Sequence, residues 1–446
     1  MNAAWLRYLP LFIRRKLIDR HTLQAVVTNI SWLLADNVLR MVLGVLVGAW
    51  VARYLGPEQF GELAYILAFV VFFQVIGKLG LDSIVIREIA HDPDSAPIIL
   101  GTVFRLRLIA GMACWFAAIG GIALLRPGDS RAMILVAIVA GTIVFQAADT
   151  VDLWFQSRTQ SKRTVLAKTS IVLITSLIRV ALILVNASLE AFAVAMLIEA
   201  ALLAFALLVA YKRYPTPVIW IWKSDQARRL LMESWPFLLS GVSILIYMRI
   251  DQLMLREMVG AHELGIYSAA LPLSTAWYFI PTAICASVAP ALARKKARSE
   301  TEYIIALERL FGLMWWYSLP LCVAIALLSK PIIDLIYGFA YSASSEVLAL
   351  HIFSNVPVAI GVAQGQWTVN EKRIVFALYR TLCGATINVL MNLLLIPFLG
   401  AIGAALASIL AQFFSVVFLN FFLAPCILKM QFRGGIGCNF FEKKFK

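Results

Sequence analysis

Long apolar stretches separated by short polar segments run along nearly the whole chain. Each stretch is about 20 residues long, the length that a helix needs to cross roughly 30 Å of hydrocarbon. The pattern predicts twelve helices, at residues 28–52, 62–80, 98–125, 132–156, 166–186, 190–211, 235–258, 266–292, 304–328, 346–367, 374–397 and 402–428. The sequence therefore predicts an all-α polytopic membrane protein.

Composition supports this class, because 61% of the 446 residues are hydrophobic and only 14% are charged, against about 25% charged in ordinary globular chains. The net charge of +14 does not indicate a nucleic-acid partner, since no domain-sized polar segment could carry a basic face. The six cysteines stand singly, so we expect packing roles and no metal site. The first residues do not have the pattern of a cleavable signal peptide.

Lysine and arginine are distributed unevenly between the two sides of the predicted membrane. With the N-terminus inside, 27 of the 39 lie in or beside cytoplasmic segments, five lie on the outer side and seven lie within spans. Positive charge in short loops marks the cytoplasmic side. We therefore expect both termini in the cytoplasm.

Two polar turns with the same rhythm indicate an internal repeat. Turn Arg53–Tyr65 ("RYLGPEQFGELAY") and turn Met258–Ala270 ("MVGAHELGIYSAA") place their glycines 204 residues apart. The same offset relates Gly56 to Gly260, Gly61 to Gly265, Arg105 to Arg309, Arg126-Pro127 to Lys330-Pro331, and Lys168 to Lys372. Duplication of a six-helix unit explains the offset.

The repeat predicts two six-helix bundles that face each other around a central cavity. Such a cavity suits alternating access, in which it opens to one side of the membrane and then to the other. We expect a basic interfacial segment at 1–27, an N-terminal bundle at 28–211 and a cytoplasmic linker at 212–234. A C-terminal bundle at 235–428 and a cytoplasmic tail at 429–446 follow. No phosphate loop, HExxH or GxSxG motif occurs, so the sequence favours neither an enzyme nor a cofactor.

Charged residues inside spans are the candidates for function, because each costs about 2.5–3.5 kcal/mol at a helix centre. Asp36 and Arg40 share one helix face four residues apart, which fits either a packing ion pair or a cavity-lining pair. Asp149 and Asp152 at the end of the fourth helix fit solvated end caps better than a proton or cation site.

The seventh helix carries Arg249 and Asp251, which are two apart and so point in different directions. Arg249 is interpreted as a cavity cation. Arg380 and Arg179 fit a cavity role or structural pairing with an acid, Glu199 in the sixth helix fits a protonated or paired acid, and His351 fits a packing role.

A family resemblance covers residues from about Ser31 to Ala424. The segments "ARYLGPEQFGELAY", "GKLGLDSIVIREIA", "RIDQLMLREMVGAHELGIYSAALPLSTAWYFIP", "NEKRIVFALYRTLCGATINVLMNLLLIP" and "GAIGAALAS" occur in that order. Together they resemble the lipid-linked oligosaccharide flippases, the O-antigen and polysaccharide transport branch of the multidrug/oligosaccharidyl-lipid/polysaccharide exporter superfamily.

The resemblance implies a V-shaped pair of bundles in a bacterial inner membrane. These bundles move an undecaprenyl-diphosphate-linked glycan, as used for lipopolysaccharide, from the cytoplasmic to the periplasmic leaflet. It implies coupling to an ion gradient and a basic cavity, with Arg40, Arg249 and Arg380 as substrate-binding residues. Asp36, Asp149, Asp152 and Asp251 are the candidates for ion coupling. Membrane lipids are expected partners, and a polysaccharide polymerase and a chain-length regulator are further candidates.

Two other functions stay open at this point. A drug or cation antiporter of the same superfamily would favour an acidic, aromatic cavity, whereas this chain has more arginines within its spans. A membrane-embedded polymerase or glycosyltransferase would need a sizeable periplasmic loop, and the longest outer segment, around Lys330 to Ser345, is short.

The charge distribution yields a topology prediction. Reporter domains fused after Lys429 and inserted within Gly260 to Glu263 are expected to report cytoplasmic and periplasmic positions respectively, because positive charge keeps loops inside. Alkaline phosphatase and fluorescent-protein fusions measure this directly. The reverse pattern would contradict the twelve-helix topology.

Overall fold

The structure is a computed structural model that describes the backbone of residues 21–214 and 219–436. Side chains are described from Asn37 onwards, apart from residues 215–218, 374 and those after Gly434. Most of the predicted interfacial segment 1–27 and the last ten residues of the predicted tail 429–446 lie outside the described residues.

The described chain is helical, with short turns and no strand. Its α-helices are α1 (His21–Gly77), α2 (Asp82–His91), α3 (Ala96–Leu125), α4 (Ser130–Ala140), α5 (Thr142–Phe145), α6 (Asp149–Ser157), α7 (Lys162–Leu184), α8 (Leu189–Arg213), α9 (Ser224–Met258), α10 (Ala261–Thr275), α11 (Phe279–Arg298), α12 (Glu300–Leu327), α13 (Ser329–Ile336), α14 (Ser344–His351), α15 (Asn355–Asn370), α16 (Ile374–Phe413), α17 (Leu419–Leu423) and α18 (Pro425–Ile436).

Ten helical stretches in the described part of the chain are long and apolar enough to cross a membrane. Two of them are bent at a glycine with positive φ, at Gly56 (φ 71°) in α1 and at Gly400 (φ 54°) in α16. Glycine tolerates this left-handed conformation because it has no Cβ. Each bend separates two predicted spans, so the ten stretches account for the twelve predicted helices, and the predicted all-α membrane fold is confirmed.

The first of two compact units consists of the described chain up to Val47 together with Phe73–Leu238. Its buried core includes Ile84, Val103, Phe155 and Leu207. The first half of α9 belongs to this unit, because Arg229 pairs with Glu88 and the backbone of α9 near Leu238 packs closely on Gly80.

The second unit consists of Gly48–Phe72 together with the described chain from Leu239 onwards. The compact units therefore do not coincide with the two halves of the sequence, because the first polar turn clusters with residues of the second half. The predicted division into two six-helix bundles stays a prediction.

Within this second unit the two polar turns pack against each other with a reciprocal contact. A methyl group added at Gly61 would overlap the carbonyl group of Ala261, and one added at Gly265 would overlap that of Pro57. Pro57 and Ala261 are themselves 204 residues apart, so the repeat offset relates the contacts as well as the residues. Such reciprocity is the pattern of a two-fold symmetric contact.

Polar bonds surround this contact. The Arg256 guanidinium pairs with the Glu62 carboxylate, with Nε 3.0 Å from Oε1. The Tyr341 hydroxyl donates to the carbonyl oxygen of Ala52 at 2.7 Å, and burial raises the pKa of this phenol, so it stays protonated as a donor. Arg53 donates to the carbonyl oxygen of Leu335, at the end of α13.

The close packing at Gly61 generates a stability prediction. Gly61→Ala is expected to lower stability by about 1–3 kcal/mol, because its methyl group would overlap backbone atoms that cannot rotate away. The matched control is Gly48→Ala in the same helix, where no atom lies within 4 Å of the added methyl group. The control is expected to be neutral or stabilising by up to about 1 kcal/mol.

Thermal unfolding of the detergent-purified protein measures both variants. A Gly61→Ala protein that unfolds at or above the wild-type temperature would contradict close packing of the two turns.

Candidate functional site

Asp152 in α6 is buried in the first unit and bonded on two sides. Its carboxylate accepts from Lys168 Nζ at 2.6 Å and from Gln156 Nε2 at 2.8 Å. Only 8% of the residue is exposed. The interpretation of Asp152 as a solvated end cap is therefore wrong, because Lys168 reaches it from α7 and replaces water.

Asp149 lies one helical turn before Asp152 and is partly buried. Arg107 lies in α3 of the same unit. Arg107 is itself buried and pairs with Asp82. The first unit thus contains two acid–base pairs in this region, Asp152 with Lys168 and Asp82 with Arg107.

Two other charged residues of this unit, Arg179 and Glu199, form an ion pair. Arg179 in α7 pairs with Glu199 in α8, so for both residues the pairing alternative holds. Arg40 in α1 is partly buried. The side chain of Asp36 lies outside the described residues, and the pair of Asp36 with Arg40 stays a prediction.

The second unit holds a buried carboxylate, Asp251 of α9, which is 3% exposed. Its Oδ2 accepts from the Tyr267 hydroxyl and from Ser408 Oγ at 3.2 Å, and its Oδ1 accepts from the backbone N–H of Gln252 at 2.8 Å. These three donors are neutral. The carboxylate is therefore solvated by protein dipoles, without a direct ion pair among the described residues.

The hydrogen bonds continue from Asp251 along the helices that pack around it. Asn388 Nδ2 donates to Ser408 Oγ at 3.4 Å, and Asn392 Nδ2 donates to Asn388 Oδ1 at 3.0 Å. The Asn392 Oδ1 atom is buried and has no hydrogen-bond partner among the described residues. The Asp251 network is defined here as Asp251, Tyr267, Asn388, Asn392 and Ser408.

His351 lies beside this network, with its ring edge-on to that of Tyr267 at 6.0 Å between centroids. Its Nδ1 atom is hydrogen-bonded to Ser274 Oγ at 2.8 Å, so one of the two ring nitrogens has a partner within the protein. The predicted packing role of His351 fits this position.

Arg380 in α16 has no ion pair among the described residues. Its Nη1 atom is buried and without a hydrogen-bond partner there. The ring of Tyr247 is close, because a methyl group added at Gly384, one turn after Arg380, would lie 2.9 Å from Tyr247 Cε2.

Arg249 lies on the exposed face of α9, whereas Asp251 two residues later is buried. The two side chains therefore point in different directions, as their spacing predicts. Arg249 and Arg380 belong to the second unit and Arg40 to the first.

Sequence reasoning identified Asp251 but missed its partners. Asn388 and Asn392 stand four residues apart in an apolar stretch, a signal that two amides share one helix face. Tyr267 and Ser408 carry no such signal, because they meet Asp251 only through packing of separate helices.

No group of three or more His, Cys, Asp and Glu that could hold a metal ion occurs in the part of the chain that the structure describes. Among the described residues, the arrangement instead offers a buried carboxylate with neutral donors and an arginine that has a buried Nη1 atom and no ion pair. Ionisable groups of this kind inside membrane spans characterise proteins that move ions or polar solutes.

The fold and these groups thus define a polytopic membrane protein with ionisable side chains within its spans. Residues 26–296 match the model of the family described as "Polysaccharide biosynthesis protein". The chain belongs to this family. Residues 236–394 also match the model of the MatE family.

Solved structures of transporters share the fold over nearly the whole chain. A structure described as "Lipid II flippase MurJ, inward closed conformation" has a TM-score of 0.71 at 15% identity, covering 94% of this chain and 93% of that one. An inward-facing multidrug resistance MATE family transporter of the MOP superfamily has a TM-score of 0.70 at 13% identity, covering 91% and 96%.

A MOP superfamily transporter from Pyrococcus furiosus, described as having a binding pocket of reverse polarity, has a TM-score of 0.56 at 15% identity over 91% of this chain and 96% of that one. No curated protein matches the sequence.

Proposed function

We propose that this protein is a flippase that moves an oligosaccharide linked to undecaprenyl diphosphate from the cytoplasmic to the periplasmic leaflet of a bacterial inner membrane. Movement is driven by an ion gradient through alternating access. The protein acts as a transporter and not as an enzyme.

The observation that carries this proposal is the buried Nη1 atom of Arg380, a residue that is partly buried as a whole. An isolated charge within a span costs about 2.5–3.5 kcal/mol on insertion scales, and the Nη1 atom of Arg380 has no hydrogen-bond partner among the described residues. A ligand with negative oxygens would supply the missing partner. A diphosphate suits an arginine because the planar guanidinium donates two parallel hydrogen bonds and stays charged.

Arg249 supports the same assignment from another helix of the second unit. It is exposed within its span, so its charge is available to a ligand, whereas Arg107 and Arg179 in the first unit already have carboxylate partners. We assign Arg249 and Arg380 to the diphosphate. Arg40 is a third candidate, on the first unit.

The comparisons support a polar, lipid-linked cargo. The family whose model matches most of the chain is described by polysaccharide biosynthesis, and one structure with the same fold is described as a lipid II flippase. The hydroxyls and phosphates of such a headgroup cannot cross hydrocarbon without hydrogen-bonding partners. A polysaccharide polymerase and a chain-length regulator are the partners we propose at the periplasmic side.

One observation favours a second candidate, a drug or cation antiporter. The MatE family model matches residues 236–394, and several structures of the same fold are multidrug transporters. Cationic drugs would be repelled by Arg249 and Arg380. Efflux of a cationic dye by cells that express the protein would favour this candidate over the flippase.

We propose that the Asp251 network couples transport to the ion gradient. Its carboxylate, hydroxyl and amide oxygens could hold a proton or a small hard cation such as Na⁺. Asn392 Oδ1, which has no hydrogen-bond partner within the described part of the chain, is one acceptor for that cation. Among the other candidates, Asp152 is already neutralised by Lys168, whereas Asp36 and Asp149 stay predictions.

The diphosphate assignment predicts that Arg380→Lys and Arg249→Lys each lower flipping at least tenfold, because lysine keeps the charge but loses the bidentate geometry. Flipping of a fluorescent undecaprenyl-diphosphate oligosaccharide in proteoliposomes measures the effect, and thermal unfolding measures folding. The matched control is Arg179→Lys, in which a cation within a span keeps its carboxylate partner Glu199.

The control is expected to flip at a near wild-type rate. Wild-type flipping by the double variant Arg249→Lys, Arg380→Lys would refute the role of both arginines. Parallel loss of flipping and thermal stability would assign them to helix packing.

The coupling assignment predicts that Asp251→Asn abolishes gradient-driven accumulation but leaves slow equilibration of substrate between the leaflets, since an amide cannot exchange a proton or balance a cation. Proteoliposomes with an imposed pH or Na⁺ gradient distinguish the two ions. Asp152→Asn serves as the comparison and is expected to lower stability, because it leaves Lys168 without its partner. Normal gradient-driven transport by Asp251→Asn would rule out this site.

A further inference from the structure

Arg105 and Arg309 are equivalent residues of the repeat, 204 positions apart, and the proposed transport does not use them. Both lie within spans, Arg105 in α3 and Arg309 in α12, and both are exposed. Neither makes an ion pair or hydrogen bond among the residues that the structure describes. The charged residues next to them in the sequence are paired instead, because Arg107 pairs with Asp82 and Glu308 pairs with Arg433.

The two arginines lie on helix faces that are otherwise apolar and exposed. On α3 the face continues with Ile109 and Phe116, which are 58% and 65% exposed. On α12 it continues with Leu313 and Trp316, which are 49% and 69% exposed. Side chains 4, 7 or 11 residues apart lie on the same face of a helix. An exposed apolar face of a membrane-spanning helix contacts lipid.

Their depth along the helices is that of a lipid headgroup. Arg105 is 20 residues from Leu125, the end of α3, which at 1.5 Å per residue is about 30 Å. Arg309 is 18 residues from Leu327, the end of α12, or about 27 Å. With the end of each helix at the outer surface of the hydrocarbon, whose thickness is about 30 Å, each arginine reaches the inner surface.

A second cation lies beside each arginine. The backbone N–H of Lys223 donates to Thr102 Oγ1 at 3.3 Å, which places Lys223 about one helical turn from Arg105. The backbone of Gly434 packs on Glu308 and Gly312, and Arg433 Nη1 lies 3.7 Å from Glu308 Oε1. Because Glu308 directly precedes Arg309, this ion pair brings the largely exposed Arg433 close to Arg309. In both halves, therefore, the segment after the sixth helix returns to the third helix and adds a basic residue.

We propose that each half of the protein carries a binding site for an anionic phospholipid of the cytoplasmic leaflet, built from Arg105 with Lys223 and from Arg309 with Arg433. The guanidinium and ammonium groups bind the headgroup phosphate, and the exposed apolar side chains above them contact the acyl chains. An arginine is stable at this depth because its long side chain extends to the charged interface.

The occupant is a resident phospholipid and not the transported cargo. The site occurs twice, opens to the bilayer along α3 and α12, and offers contacts to phosphate and acyl chain only. Anionic lipids are enriched at the cytoplasmic surface, where each nearby Lys or Arg contributes about 1 kcal/mol of attraction. The inference does not depend on the proposed cargo, because lipid binding is measured without transport.

Native mass spectrometry of the full-length, detergent-purified protein titrated with phosphatidylglycerol tests the proposal. The wild type is expected to bind two phosphatidylglycerol molecules more tightly than phosphatidylcholine. Arg105→Gln and Arg309→Gln are each expected to weaken one of the two by about fivefold or more. The double variant is expected to lose the preference for phosphatidylglycerol.

The matched control is Arg298→Gln, which removes an exposed charge from the predicted cytoplasmic side, at the end of α11 and outside the proposed sites. It is expected to bind both lipids as the wild type does, and thermal unfolding checks that all variants are folded. Wild-type phosphatidylglycerol binding by the double variant would overturn the proposal. Displacement of both phospholipids by an equal concentration of undecaprenyl diphosphate would also overturn it, by assigning the sites to the carrier lipid.

Discussion

Hydrocarbon offers no hydrogen bonds, and this constraint decides where every polar group of this protein lies. Backbone groups are satisfied within helices, which is why the described chain is helical throughout its apolar stretches. Charged side chains have to find partners within the protein or reach an interface. Arg179 with Glu199, and Lys168 with Asp152, illustrate the first solution.

Where a charge lacks such a partner, the same constraint turns it into a candidate for function. The buried Nη1 of Arg380 is unsatisfied among the described residues, and Asp251 is buried with neutral donors alone. Both belong to the second unit. A ligand that accepts a hydrogen bond from Arg380, or an ion that binds Asp251, would therefore be stabilised by that contact.

Close backbone packing is the complementary feature of the second unit. At Gly61 and Gly265 the absence of a side chain lets two polar turns approach within van der Waals contact of each other's backbone. The contact is reciprocal, because each glycine packs on the residue that is 204 positions from the one its counterpart packs on. The ion pair of Arg256 with Glu62 lies beside it. The duplicated turns thus form one packing unit, which explains why the chain carries the same turn twice.

The sequence alone determined the class of fold, because span length and hydrophobicity follow from the thickness of the bilayer and depend little on packing. It also determined the repeat and identified the ionisable residues within spans. Tertiary structure decided which of them are paired. Asp152 looked like a solvated residue at a helix end, yet Lys168 of the next helix covers it. Glu199 fitted either a protonated or a paired acid, and the structure pairs it with Arg179. The partners of Asp251 come from helices far apart in the chain, such as Tyr267 and Ser408. Such contacts depend on the packing of helix faces, and hydrophobic periodicity carries no information about which faces meet.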